Sequence, residues 1–354
     1  MSKILFFCCV LFVSLNIFGQ PVGHPDPQLS PRDNDYMDRQ AKVFLDTVNM
    51  ILAKYPPAIH PARERNYAML LMDAVFHDKY AAFRKPAQIF FRSGIDRVIE
   101  ELETSEITAG AKIWKIYNMG FIVRTRSVTI AFDLVSGASS KSEDFTILDV
   151  QMKRLIQQCD ILFISHRHSD HWEKQIIDEF RRLGRPVLAP EQLSRDRPEI
   201  SGLIHPERTA EKEQKVKFPK GIELRFINYP GHQMARNDNN VVLVTTPEGI
   251  SIAHNGDQIN EGDFMVDFDW IDKVSQKQKV DILISNSWTT DILRIVKGVN
   301  PKLVIPGHEL ELGHTVWDRV PYWGDDEYLE LNYAELKNSK YPVVVMIWGE
   351  SYHY

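Results

Sequence analysis

Apolar residues recur every three or four positions from Ala41 through Phe44, Leu45, Val48, Ile51 and Leu52 to Tyr55, and Pro56 and Pro57 then stop the pattern. That period predicts an amphipathic helix. Pro61 opens a second helical stretch through NYAMLLMDAVF, and Pro86 a third that sets Ile95, Val98, Ile99 and Leu102 on one face, since the fixed φ of proline suits a first helical turn. Residues 33–105 therefore read as a small helical region without strands. The four prolines in QPVGHPDPQLSPR ahead of it predict an extended lead-in along the surface.

Near Gly110 the period changes. KIWKIYNMGFIVRT and SVTIAFD are β-branched and aromatic runs separated by a short polar turn, which predicts strands. DILFIS follows, then a helix from about Trp172 to Leu183, RPVLAP, GIELRFINYP, a hairpin in VVLVTTPEGISIAH turning at PEG, a helix near DWIDKVSQ, DILISN, a short helix and PKLVIPG. The closing YPVVVMIWG predicts one more strand. Strands and helices in this order, with several hairpins, predict an α/β fold of packed sheets flanked by helices rather than a purely parallel doubly wound sheet.

The first residues, MSKILFFCCVLFVSLNIFGQ, combine one early Lys with an apolar run from Ile4 to Val13, then Ser14, Asn16 and the small Gly19. This predicts a secretory signal cut near Gly19; the competing reading, a retained anchor, needs roughly 20 apolar residues. The chain is expected to divide into a signal peptide over 1–19, a Pro-rich lead-in and helical extension over 20–109 and a catalytic domain over 110–354, with a secreted or periplasmic location and no integral span after cleavage. Phe6 and Phe7 before Cys8 and Cys9 argue against a lipoprotein signal. Without the leader, Cys159 is the only cysteine, so an internal disulfide and a thiolate metal cluster are both excluded. A net charge of -6 offers no sign of a nucleic-acid partner.

Metal chemistry would then fall to His and carboxylate side chains, and their placement is uneven. In ISHRHSDHW, His166 and His168 stand two apart just past an apolar run, so in extended backbone both rings project to one side. Asp170 and His171 follow where the helix WEKQIIDEF is expected to begin, a place where a carboxylate either caps free backbone amides or turns to a cation. Four such side chains cannot all reach one tetrahedral centre, so the loop suits two neighbouring cations. Three further sites repeat an apolar strand, a glycine turn and a ligand-type residue: His232 in NYPGHQ, Asp257 in IAHNGDQ and His308 in KLVIPGHE. Asp257 alone would pass as turn chemistry. His314, six residues beyond His308, competes for the last position; His308 is preferred because it directly follows the strand, which leaves His314 as a substrate contact or a bystander. His254 alternates with strand residues and reads as core or as support for the site.

The ordered set Asp133, His166-x-His168-x-Asp170-His171, His232, Asp257 and His308 resembles the five motifs of the metallo-β-lactamase superfamily over about residues 110–310. The resemblance implies a four-layered αββα sandwich, with metals at one edge of its two sheets. Carried over residue by residue, it implies His166, His168 and His232 on a first metal, Asp170, His171 and His308 on a second, Asp257 bridging them, and Asp133 orienting the loop from behind. The Asp at 257 and the lack of a ligand cysteine look closer to the group holding ascorbate-6-phosphate lactonase and N-acyl phosphatidylethanolamine phospholipase D than to the true zinc β-lactamases. Gln258 departs from that pattern, since relatives usually carry a small hydroxylic or similar residue there.

Two such cations would share a water, lower its pKa to about 7 and polarise a carbonyl or phosphoryl oxygen, with Asp170 and Asp257 the expected catalytic carboxylates. The expectation is a hydrolase of a small ester, lactone, amide or phosphodiester, lipid-derived molecules included, holding two Zn²⁺ per chain, with Mn²⁺ or Fe as other fits to the donors. Its competitors are a diiron-type redox enzyme, whose relatives tend to carry Glu in place of His168, and a metal-stabilised binding protein without turnover. Ser287 and Trp288 in SNSWTT are expected near the metal edge as pocket residues, Trp288 equally as core. The helices of 33–105 are candidates to cover the site or to mediate self-association, which leaves an oligomer open.

Overall fold

The strand-like runs after Gly110 resolve into two six-stranded sheets. The structure, a computed structural model, describes residues 26–354 apart from 77, 79, 138–144, 220, 234–236, 260–266, 288, 290–291, 309–335 and 337–338. In the first sheet β1 (Lys112–Lys115), β2 (Phe121–Arg124) and β3 (Thr129–Phe132) form an antiparallel meander. Parallel β4 (Ile161–Phe163) and β5 (Val187–Leu188) extend it on one side. In the second, β6 (Gln214–Lys217), β7 (Glu223–Gln233), β8 (Asn237–Thr245) and β9 (Ser251–His254) pair antiparallel, and β10 (Ile282–Asn286) and β11 (Leu303–Gly307) add in parallel to β9. The C-terminal β12 (Ser351–His353) closes the first sheet against β1.

Alternation along each strand feeds two cores at once. Phe121, Ile130 and Phe163 from one sheet meet Leu224, Val244, Ile252, Ile284 and Ile305 from the other. Their neighbours turn outward: Ile122, Ala131 and Leu162 pack beneath helices, and Leu243, Ala253, Leu283 and Val304 pack beneath the helices on the opposite side. The result is the four-layered αββα sandwich that the family resemblance implies. Strands buried on both faces read as unbroken apolar runs, as DILFIS and PKLVIPG do.

The helical region comprises α1 (Pro31–Lys54), α2 (Arg63–Phe76) and α3 (Lys85–Thr104). Phe91, Ile95, Val98 and Ile99 of α3 join Trp114 and Trp348 in one core with α4 (Asp149–Gln158), the crossover between β3 and β4 that the apolar period did not predict. Arg65 of α2 is buried against Glu350, with Nη1 to Oε1 at 2.7 Å, and also donates to the carbonyls of Tyr55 (3.1 Å) and Val345 (3.0 Å). No described helix is long and apolar enough to cross a membrane.

YPVVVMIWG is not the strand its composition predicts. Only Val343 bridges, in parallel, to Val304 of β11, and pairing resumes at Ser351. The segment passes from one sheet to the other: Val344 and Met346 enter the inter-sheet core, while Ile347 and Trp348 enter the core beneath α3. Burial in successive cores explains its apolarity, and no ladder is needed.

Cys159 is wholly buried at the end of α4, its Sγ 3.3 Å from the Leu155 carbonyl, and burial pushes the thiol up to about 12. Because the thiolate is the reactive form, an alkylating reagent is expected to leave Cys159 unmodified in the folded protein and to modify it fully in denaturant. Intact-mass analysis reads the difference, and fast labelling of the native chain at Cys159 would contradict the packing described.

Candidate metal centre

Every strand that ends in a ligand-type residue points the same way. β3 and β4 run parallel, so Asp133 and the histidine loop leave the first sheet side by side. β7 and β9 share a direction because each is antiparallel to β8, and β10 and β11 follow β9. His232, Asp257, Ser287 and His308 therefore meet Asp133 and His166–His171 along one edge of the sandwich. Backbone bonds staple the two sheets there: Asn240 N donates to Ser165 O (2.8 Å) and His308 N to Asn118 O (3.3 Å). Gly256, at φ +51°, makes the approach possible, since a Cβ there would lie 2.4 Å from both Ser165 Cβ and Asn239 Oδ1. Asn118, Asp133 and His308 also sit at positive φ, 56°, 42° and 68°. Such backbone costs a non-glycine residue about 1–3 kcal/mol and persists where the surroundings over-determine it.

Two groups of donors form. Asp170, His171, Asp257 and His308 have ligand atoms all within 4.8 Å of one another, and so do His166, His168 and Asp257. Asp257 belongs to both. Its Oδ1 lies 2.6 Å from His308 Nε2, and its Oδ2 lies 3.1 Å from His171 Nε2 and 3.6 Å from His166 Nε2. Asp170 Oδ2 is 3.2 Å from His171 Nε2. Asp170 does not cap the helix: α5 (Lys174–Arg182) begins later than expected, with Glu173 at its cap position. The Asp170 carboxylate instead accepts the Asn118 amide at 3.0 Å.

Behind the loop, buried Asp133 accepts from Ser165 N (2.7 Å) and Ser165 Oγ (2.6 Å) and lies 2.7 Å from His171 Nδ1. That contact directs His171 Nε2 towards the two carboxylates of its group. His232 stands outside both groups; its Nδ1 is 2.9 and 3.1 Å from the oxygens of Asp267. His168 Nε2 faces the Asn237 amide at 2.8 Å. Ser287 is buried, and its hydroxyl donates to the Gly307 carbonyl (2.6 Å), so it braces the backbone just before His308. His254 is core: it stacks on Phe132 and its ring reaches the Met119 carbonyl at 3.1 Å. Trp288 and His314 lie outside the described residues.

The family model described as the Beta-lactamase superfamily domain matches residues 112–308, from β1 to His308. The chain belongs to the metallo-β-lactamase superfamily. Among solved structures, this metallo-β-lactamase fold is similar to Igni18, a novel metallo hydrolase from the hyperthermophilic archaeon Ignicoccus hospitalis, at 15% identity over 70% of this chain and 99% of that one, with a TM-score of 0.47. It is similar to a possible metal-dependent hydrolase from Veillonella parvula, at 15% identity over 70% and 100% of the two chains and a TM-score of 0.48. A third likeness is to CmlA, a diiron β-hydroxylase from Streptomyces venezuelae, at 15% identity over 71% of this chain and 55% of that one and a TM-score of 0.47. No curated protein matches the chain significantly.

The electrostatics of this metallo-β-lactamase edge favour positive charge in one group and neutral imidazole in the other. At His166, burial and then the neighbouring His171 outweigh Asp257 and push the pKa down to about 3. Burial acts in the same direction at His171, but Asp257, Asp170 and Asp133 together overcome it and raise that imidazole well above its ordinary range. Burial alone would raise the carboxyls of Asp257 and Asp170; His171 and His308 hold both below the usual carboxylate range. The sequence motifs missed several residues that shape these groups. Asn118 has a local signal, an Asn-x-Gly turn between two strands where Asn tolerates left-handed backbone. Asn239, whose Oδ1 accepts from Asp257 N (3.2 Å), and Asp267 have none, because their partners are distant in sequence.

Proposed function

We propose that this chain is a metal-dependent hydrolase whose two cations are held by His166, His168 and His232 on one side and by Asp170, His171 and His308 on the other, with Asp257 shared. The observation that carries the reading is His166 Nε2. It is buried without a hydrogen-bond partner among the described residues, its ring stays neutral near pH 7, and it stands 3.6 Å from an Asp257 oxygen. An unsatisfied buried acceptor costs about 1–3 kcal/mol. Two donors on one tetrahedral zinc, with bonds of about 2.0–2.1 Å, stand roughly 3.3 Å apart, so a cation between ring and carboxylate fits the spacing and takes the lone pair. Zn²⁺ suits these donors, and Mn²⁺ and Fe share them.

Bound there, divalent cations supply Lewis acidity and bring the pKa of water towards about 7, the chemistry of hydrolysis. The protein's own groups do the placing. Asp133 holds His171 by its Nδ1, and Asn118 holds one oxygen of Asp170. Asp170 is the most exposed member of its group, within reach of water and substrate, and with its carboxyl held low it takes a proton only in passing. The reading takes small esters, lactones, amides and phosphodiesters, lipid-derived ones among them, as substrates. The apolar run from Ile4 to Val13 supports export, which N-terminal sequencing of protein recovered outside the cytoplasm checks.

Metal analysis joined to an activity screen over phosphodiesters, lactones and β-lactams tests the reading, with His168→Ala as control. About two metal ions per chain are expected in the wild type, with one lost and turnover collapsing in the variant. Fewer than one ion per wild-type chain, with an indistinguishable variant, would sink the proposal. Iron together with oxygen consumption would replace it with a redox enzyme.

A further inference from the structure

The two donor groups are unequal. Asp170, His171, Asp257 and His308 already stand together, whereas His166, His168 and Asp257 make three, with His232 outside. Two buried side chains hold His232 in a closed circuit. Gln258 Oε1 accepts the His232 backbone N–H (2.9 Å), Gln258 Nε2 donates to Asp267 Oδ2 (2.7 Å), and Asp267 faces His232 Nδ1. Ile259 N donates to the His232 carbonyl at 3.1 Å, so the turn that delivers Asp257 also grips this strand end.

Chemistry fixes every orientation in the circuit. A carboxylate only accepts, so the Gln258 amide nitrogen must face Asp267 and its oxygen the backbone N–H. His232 Nδ1 must likewise carry the hydrogen, which places the ring's lone pair on Nε2, the tautomer in which a histidine held by a carboxylate serves a metal. A small hydroxylic side chain at 258 could not span from the His232 backbone to Asp267. The circuit also needs Gly231: a Cβ there would stand 2.1 Å from Gln258 Oε1 and 2.8 Å from Val241 Cγ2.

We propose that Gln258 is a positioning residue for His232, so that the His166–His168–Asp257 metal site depends on the Gln258–Asp267 circuit and the Asp170–His171–Asp257–His308 site does not. The proposal rests on the two-metal reading above. It accounts for Gln258, the departure from the family pattern. One turn supplies the shared carboxylate through Asp257 and sets the remaining imidazole through the next residue.

The test is a competitive zinc titration of the full chain against a chelator, for wild type, Gln258→Met and Asp267→Asn, with thermal melts to confirm folding. Gln258→Met keeps the length and removes the hydrogen bonds to the His232 N–H and to Asp267, together with the long one from the Asn239 amide (3.4 Å). Asp267→Asn keeps the shape but has one acceptor oxygen where two donors converge, so it tests the circuit even where the first variant fails to fold. In each variant one zinc is expected to weaken by about 10–100-fold while the other is unmoved. The ¹⁵N signals of His232 are expected to shift from a single Nδ1–H tautomer to a mixture. Gly231→Ala is expected to reproduce the single-site loss with Gln258 in place. A two-zinc wild type whose variants keep both affinities, or lose both equally, overturns the positioning role alone. A wild type holding fewer than one zinc overturns the two-metal reading and this inference with it.

Discussion

Asp257→Asn is expected to remove at least one metal ion per chain and to lower kcat/KM by about 10³-fold or more. Asp257 is the only described residue in both donor groups, and the residues it touches come from both sheets: His166 and His171 from the loop after β4, and His308 from the end of β11. An asparagine fills the same space and can keep the contact between Asp257 N and Asn239 Oδ1, so the fold has little reason to change. What it loses is charge and one acceptor oxygen. A cation's stabilisation of developing negative charge is worth several kcal/mol, and each 1.36 kcal/mol is tenfold in rate. Metal content by mass spectrometry, kcat/KM on whichever substrate the screen finds, and a thermal melt together decide the matter. A folded variant that keeps both ions and works within tenfold of wild type would show that Asp257 does not join the two groups.

The second large effect concerns stability. Arg65→Ala is expected to cost about 3–5 kcal/mol of unfolding free energy, the usual penalty for removing one partner of a buried ion pair. Glu350 would keep the Ile347 backbone N–H (2.8 Å) but lose its counter-charge, and the carbonyls of Tyr55 and Val345 would lose a donor. Denaturant titration measures the loss. The double variant Arg65→Met, Glu350→Leu is expected to recover most of it, because no buried charge is then left alone. A loss below about 1 kcal/mol in Arg65→Ala would mean that the pair is open to solvent, contrary to the burial of both side chains. The pair ties α2 to the segment entering β12, and α3 roofs Trp114 and Trp348. The helices ahead of β1 thus complete the core of the first sheet.

Local physics made much of this legible in advance. A strand buried on both faces announces itself as an unbroken apolar run, and a turn that must reverse the chain advertises glycine, so the strand ends carrying His166, Asp257 and His308 were readable without a structure. Where the same signal has two causes the reading failed. YPVVVMIWG is apolar because it threads successive cores, and composition does not separate that from pairing. Asp170 at an expected helix start was open to capping, and the outcome turned on Asn118, 52 positions away.

The sequence by itself determined an α/β fold of packed sheets flanked by helices and the placement of ligand-type residues at strand ends, because strand period and turn chemistry are properties of a few adjacent residues; the αββα layering came from the resemblance of the motifs to the family. Only the tertiary structure decided which of these side chains stand together. That depends on distances of a few ångströms between residues such as His171 and Asp257, 86 positions apart, which parallel strand alignment and the close approach at Gly256 set. It also decided that His232 stands apart from both groups, held by Asp267 and Gln258. The geometry of that ring is a matter of buried hydrogen bonds between distant segments, and no local pattern encodes them.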